Sequence, residues 1–188
     1  MKDRIVFDIE TKNTFADVGG QENIDKLDMS VTCAYSYNEN KYYTFWESDL
    51  EALGKMLQDA SVVIGFAINR FDLPVLAKYF KFNIDKVPRI DLLEEIELAF
   101  GSRIGLGIVA ETTLGIGKSG HGLDAIEYWE TKNFEALEKY CLQDVKVTKE
   151  LYDFIIKNEY VLIPKRYTNE IIKVPVVIKP LEIPLSLF

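Results

Sequence analysis

Apolar residues change their spacing from segment to segment along the chain, and those changes predict an alternating succession of strands and helices. Arg4-Ile5-Val6-Phe7-Asp8-Ile9-Glu10 reads as a strand. Side chains two apart on a strand share a face, so Ile5, Phe7 and Ile9 point into one layer while Asp8 and Glu10 point together toward the other. A loop with Gly19-Gly20 leads to two strand-like runs, Ser30 to Tyr37 and Lys41 to Trp46, whose short Asn38-Glu39-Asn40 link predicts a hairpin. Ser48-Asp49-Leu50-Glu51 has the form of a capping box, which predicts a helix to about Asp59 with Leu50, Leu53 and Leu57 inward. A strand from Val62 to Phe66 follows, then a helix from Asp72 to Phe80 with Pro74 in its first turn.

The second half is mainly helical. Helices are predicted from Asp91 to Phe100 with Gly101 as the stop, from Arg103 to Leu114 despite two glycines, and from Leu123 to Trp129. From Phe134 to Ile156, the residues Phe134, Leu137, Cys141, Val145, Thr148, Leu151, Tyr152 and Ile155 keep a helical period, and Tyr140 and Asp144 are an i, i+4 pair beside that stripe. Tyr160 to Ile163 and Ile171 to Val174 read as short strands. Pro175, Pro180 and Pro184 then punctuate an apolar tail ending at Phe188, which excludes a central strand and leaves an edge or an extended arm. This order predicts one α/β domain over residues 1–158, with residues 159–188 packed on it; docking of the tail on another chain is the alternative.

A chain of 188 residues that is 48% hydrophobic can bury a full core without disulfides or structural metals. Its two cysteines, Cys33 and Cys141, lack ligand-like spacing and read as buried free thiols of a reducing cytosol. No apolar run is long enough to span a membrane and no signal peptide is evident, so a soluble, cytoplasmic protein is expected. The net charge of −8 argues against tight nonspecific binding to nucleic acid through basic excess. A local patch would have to come from Arg70, Lys78, Lys81, Lys86, Arg89, Arg103 and Lys118, each of which is also accounted for as part of a solvated face.

Against that background, Asp8, Glu10, Asp72 and Asp144 stand out because they sit at the ends of buried elements or beside a buried stripe. Carboxylates brought together repel one another and raise one another's pKa unless a cation neutralises them. Hard oxygen ligands favour Mg²⁺ or Mn²⁺, and two such ions can clamp the attacking and leaving oxygens of a phosphoryl displacement. The plain alternative for any one acid among 30 is a solvated surface residue; it weakens for the set.

The segments Phe7-Asp8-Ile9-Glu10-Thr11, Gly65-Phe66-Ala67-Ile68-Asn69-Arg70-Phe71-Asp72-Leu73-Pro74 and Tyr140-Cys141-Leu142-Gln143-Asp144 resemble, in order, the three exonuclease motifs of the DEDD superfamily in its tyrosine subclass. That superfamily has the ribonuclease H-like fold and includes the proofreading domains of family B DNA polymerases. Phe15-Ala16-Asp17-Val18-Gly19-Gly20 and the stretch from Thr113 to Leu123 are similar to a stand-alone branch of exonuclease-like proteins, with relatives fused or linked to helicases. The resemblance runs from about Arg4 to Val176. It implies a central mixed β-sheet flanked by α-helices and a 3′→5′ exonuclease using two Mg²⁺ or Mn²⁺ ions. DNA is favoured over RNA, single-stranded ends are favoured, and a helicase or polymerase is the implied partner.

The resemblance also implies roles. Asp8, Glu10 and Asp144 would hold one metal, Asp8 would bridge to a second, and Asp72 would hold the second partly through water. Tyr140 would orient the attacking water rather than ionise, since a phenol is a poor base at neutral pH. The family places an asparagine where this chain has Ala67, and Asn69 is the nearest candidate to position substrate in its stead. Thr11, Phe71 and Lys118 are the other candidate substrate contacts, although a Phe at a strand-to-helix junction such as Phe71 is more often core.

Gly117-Lys118-Ser119 invites a nucleotide-loop reading, but a Walker A motif needs a glycine where Thr112 stands, so Lys118 is expected to touch a phosphate from a loop instead. His121, between two glycines, is expected to be exposed. Three rivals remain at this stage: an RNA exonuclease, a structure-selective endonuclease, and a noncatalytic nucleic-acid or helicase-docking module.

Overall fold

The computed structural model describes residues 2–117, 122–165, 168 and 170–179. Lys118, His121 and the tail from Pro180 to Phe188 lie outside the described residues.

The first strand, β1 (Arg4–Thr11), is the middle of a five-stranded mixed sheet. On one side it pairs antiparallel with β2 (Met29–Ser36), which pairs antiparallel with β3 (Lys41–Trp46). On the other side it pairs parallel with β4 (Val62–Gly65), which pairs parallel with β5 (Arg89–Asp91). The order is β3-β2-β1-β4-β5. Among the described residues, six α-helices accompany the sheet: α1 (Leu50–Asp59), α2 (Asp72–Leu76), α3 (Leu92–Phe100), α4 (Leu106–Leu114), α5 (Gly122–Glu130) and α6 (Phe134–Asn158). An antiparallel hairpin, β6 (Tyr160–Pro164) with β7 (Ile171–Pro175), follows α6. No helix of the described residues is long and apolar enough to cross a membrane.

Strand periodicity sorts the core into two layers. Ile5, Phe7 and Ile9 of β1 join Leu53 and Leu57 of α1 and Leu73, Val75 and Leu76 of α2 on one side of the sheet. Val6 joins Cys33 and Tyr35 of β2 on the other, against Leu137, Cys141, Val145, Leu151 and Ile155 of α6. Val161, Ile163, Val174 and Val176 extend this second layer, so the hairpin covers apolar surface continuous with the sheet and α6. Asn133 caps α6 by accepting a hydrogen bond from the Ala136 backbone N–H at 3.3 Å, which fixes where the long helix starts.

Four expectations are corrected. β5 precedes α3 where a helix was expected to begin at Asp91, because that carboxylate caps the helix from the strand end. The helix expected from Asp72 to Phe80 stops at Leu76, and Ala77–Tyr79 tightens into a 3₁₀ turn whose Tyr79 hydroxyl meets the Met29 N–H at 3.1 Å. α4 starts at Leu106, not Arg103, because Gly105 is extended. A 3₁₀ turn at Glu47–Asp49 precedes α1, and its return contact is Asp49 accepting from the Trp46 N–H at 3.0 Å rather than Glu51 reaching Ser48.

Candidate active site

Asp8 and Glu10 leave β1 on the side that carries Val6, which is the side covered by α6. Tyr140 and Asp144 lie one helical turn apart on α6. The two elements therefore converge, and ligand oxygens of Asp8, Glu10 and Asp144 all lie within 4.8 Å of one another. Three half-buried carboxylates at that separation repel strongly. Burial, and then the charges of Asp72, Glu10 and Asp144, push the Asp8 carboxyl well above the usual carboxylate range. A hard divalent cation would remove that penalty, and an all-oxygen donor set suits Mg²⁺ or Mn²⁺.

Asp72 reaches the neighbourhood by a different route. It is the first residue of α2, it is buried, and its Oδ1 accepts the Ile9 N–H at 3.1 Å, so it grips β1 between the two β1 acids. Burial pushes its carboxyl up to about 7 despite two backbone hydrogen bonds that pull it down. It lies outside the group of three but close enough for its charge to act on Asp8.

Tyr140 is 6% exposed. Burial and then the negative charges of Asp144, Glu10 and Asp8 push its phenol far above the ordinary tyrosine range, so it stays protonated and can only donate or accept a hydrogen bond. Behind Asp8, the Cys141 thiol donates to the Asp8 carbonyl oxygen at 3.4 Å. Burial, the Cys33 thiol and then the charge of Asp8 push the Cys141 thiol well above its usual value, so Cys141 serves as packing rather than as a nucleophile; Cys33 is buried beside it.

The loop from Phe66 to Phe71, which delivers Asp72, hangs on Asp91. One carboxylate oxygen of Asp91 accepts the Ala67 N–H at 2.9 Å and the Leu93 N–H at 3.0 Å, and the other accepts the Asn69 N–H at 2.9 Å. The apolar period alone marks Asp91 only as a helix start; Asp-Leu-Leu-Glu ahead of an apolar helix is the N-cap signature that singles it out. Gly65 enters this loop at a point where a Cβ would lie 2.1 Å from Ile68 Cγ2 and 3.1 Å from the Phe7 carbonyl oxygen, so only glycine fits. Ala67 follows in the left-handed region, at φ 69°.

The candidate substrate contacts are dispersed. Asn69 donates through Nδ2 to Glu94 of α3 at 2.6 Å, while its buried Oδ1 has no hydrogen-bond partner among the described residues. Phe71 packs edge-on against Phe15, 6.0 Å between centroids, in the apolar layer opposite α6. Thr11 is buried and its hydroxyl donates to the Asn13 carbonyl oxygen at 2.9 Å.

A mixed sheet in the order β3-β2-β1-β4-β5, with acids converging from the central strand and the long helix, defines a ribonuclease H-like α/β domain whose acid trio fits a DEDD-type site. The chain belongs to the RNase_H superfamily, whose family model matches residues 5–156. Among solved structures it is similar to the family B DNA polymerase from the hyperthermophilic archaeon Pyrobaculum calidifontis, with a TM-score of 0.63 and 18% identity. The match covers 82% of this chain and 24% of the polymerase, so the chain spans about a quarter of that protein, and the likeness is one of fold. No curated protein matches the sequence.

Proposed function

We propose that the protein is a metal-dependent 3′→5′ exonuclease that hydrolyses phosphodiester bonds of DNA, with single-stranded ends favoured. The observation that carries this reading is the convergence of Asp8, Glu10 and Asp144 oxygens within 4.8 Å, beside the buried Tyr140 phenol. Asp8, Glu10 and Asp144 would hold one Mg²⁺ or Mn²⁺, with Asp8 and Asp72 contributing to a second. When bound, such ions supply positive charge to the attacking and leaving oxygens and lower the pKa of a bound water. Tyr140 orients the water by a hydrogen bond, because its hydroxyl keeps its proton. Asp72 holds the acid-bearing strand in place through the Ile9 N–H as well as lending charge. Similarity to a DNA polymerase supports DNA as the substrate class, and a polymerase or helicase as the partner that would bring a strand end to an acidic protein.

The test is a gel of 5′-labelled DNA and RNA oligonucleotides incubated with Mg²⁺, Mn²⁺ or EDTA. A descending ladder on DNA that EDTA abolishes is expected. Cleavage of RNA alone, internal cuts, or binding without cleavage in either metal would each replace the reading with one of its rivals.

A further inference from the structure

Three aromatic rings gather beside the acid-bearing end of β1. Trp46 ends β3, Trp129 lies in the last turn of α5, and Phe134 opens α6. The Phe134 ring stands 5.6 Å from Trp46 and 5.5 Å from Trp129, tilted against both. With Ser30, Glu47 and Ser48 these rings line a cavity of about 420 Å³, within the range of small-ligand sites. Phe134 is 43% exposed, so its ring is offered to the cavity mouth rather than spent on the core.

Two polar features give the cavity a chemistry. The pairing of β1 with β2 steps from Glu10↔Val31 to Thr11↔Met29 and skips Ser30, a bulge of the kind that re-aims a side chain near a site. Ser30 is 1% exposed, lines the cavity, and its Oγ has no hydrogen-bond partner among the described residues. A buried hydroxyl left so is unfavourable until something bonds it. Lys12, two residues beyond Glu10, holds its Nζ 4.9 Å from the Trp129 ring centroid and 2.5 Å from a Glu47 carboxylate oxygen. The Glu47 side chain is 59% exposed, so water screens the pair and a phosphate can compete with Glu47 for Lys12.

We propose that this pocket receives a nucleobase of the single strand being hydrolysed, stacked on the Trp46, Trp129 and Phe134 rings with its polar edge on Ser30 Oγ and the adjoining phosphate on Lys12. The inference rests on the nuclease reading above. A base matches all three features at once: a flat π-face for the rings, a hydrogen-bonding edge for the orphan hydroxyl, and an anionic linkage for the lysine. An aliphatic chain would leave Ser30 unmet. Phe134 precedes Tyr140 by six residues on α6, about 9 Å at 1.5 Å per residue, so the base is a neighbour of the scissile nucleotide rather than that nucleotide itself.

Binding of a twelve-residue oligothymidylate, in Ca²⁺ to suppress turnover, tests this with single abasic sites walked from the 3′ end. One position should weaken binding about 5–150-fold, the range of a single stacked base. Phe134→Ala should lose a similar factor on the intact strand, and the abasic penalty at that position should then shrink to within about twofold, as expected of groups in contact. A flat abasic profile on wild type, or full affinity in a folded Phe134→Ala variant, overturns the pocket while leaving cleavage by the wild type to support the nuclease reading. Wild type that neither binds nor cleaves the strand in Mg²⁺ or Mn²⁺ overturns both. The abasic walk needs no variant, so it decides the question even where Phe134→Ala does not fold.

Discussion

On one face of β1, Ile5, Phe7 and Ile9 are buried in an apolar layer with α1 and α2; on the other, Val6 gives way to Asp8 and Glu10 facing α6. Neighbours in one strand thus sit in opposite environments. The apolar face gains free energy from burial, whereas the acid face crowds charges that the fold holds at a loss in the absence of a cation. The site is not laid onto a finished surface. It takes over the end of a core layer, which is why burial and the neighbouring charges raise the Asp8 carboxyl well above its usual range.

Adjacent substitutions should split this contrast most widely. Asp8→Ala removes the acid at the centre of the cluster, and hydrolysis should fall below detection while the metal-free protein melts no lower than wild type, since like-charge repulsion is relieved. Phe7→Ala, one residue away and fully buried, should do the reverse: a loss of about 3–5 kcal/mol of stability with turnover per folded molecule nearly unchanged. Metal-dependent cleavage that survives Asp8→Ala in purified protein would move the active site elsewhere. Denaturant titration beside a single-turnover assay reads both arms.

Tyr140→Phe probes the same face without touching a carboxylate. It keeps the ring packing and deletes one hydrogen bond that matters at the transition state, so single-turnover cleavage should slow by about 10–1,000-fold with oligonucleotide affinity in Ca²⁺ unchanged. A rate within about twofold of wild type would leave Tyr140 a packing residue only.

The site residues of β1 and α6 are legible in sequence because their geometry is local: period two on a strand and one turn on a helix put Asp8 with Glu10 and Tyr140 with Asp144. The core faces followed from the same periods. What escaped was fixed by distant partners. β5 is three residues long and borrows its strand character from β4, Asp91 acquires its second task only because the Ala67–Asn69 loop folds onto it, and the bulge at Ser30 depends on register with β1. Asn69 is committed to Glu94 for a similar reason, since α3 packs where the sequence alone shows no neighbour.

Acidity should tune the two faces unequally. Asp72 is held at about 7 and Asp8 is raised as well, so between the ordinary carboxylate range and about 7 the folded state keeps protons that the unfolded chain has released. Stability of the metal-free protein therefore declines as pH rises from about 4 to about 7, by about 1.4 kcal/mol per unit of raised pKa traversed. Melting scans across that window should show the decline, with Asp72→Asn flattening it and Mg²⁺ or Mn²⁺ restoring stability mainly at the upper end. A metal-free melting temperature that climbs across the same window in wild type, while Asp72→Asn is flat, would reverse the assignment of sign.

The smallest effect concerns the loop between the two faces. Ala67 sits at φ 69°, where an L side chain costs about 1–2 kcal/mol and where glycine and asparagine are the residues tolerated. Its backbone N–H is tied to Asp91, so the loop cannot relax to a more comfortable angle without losing that bond. Ala67→Gly removes the strain but adds freedom to the unfolded chain, so the two terms nearly cancel and the melting temperature should move by at most about 2 °C. Ala67→Asn accepts the same angle without that entropy term and should raise stability by about 0.5–1 kcal/mol, or about 1–4 °C for a chain of this length. The pair of variants separates backbone from side chain. If Ala67→Asn also raises single-turnover cleavage or tightens oligonucleotide binding while Ala67→Gly does neither, an amide at this position contacts substrate and its absence limits the protein. Equal behaviour of the two would confine position 67 to shaping the turn that carries Asp72.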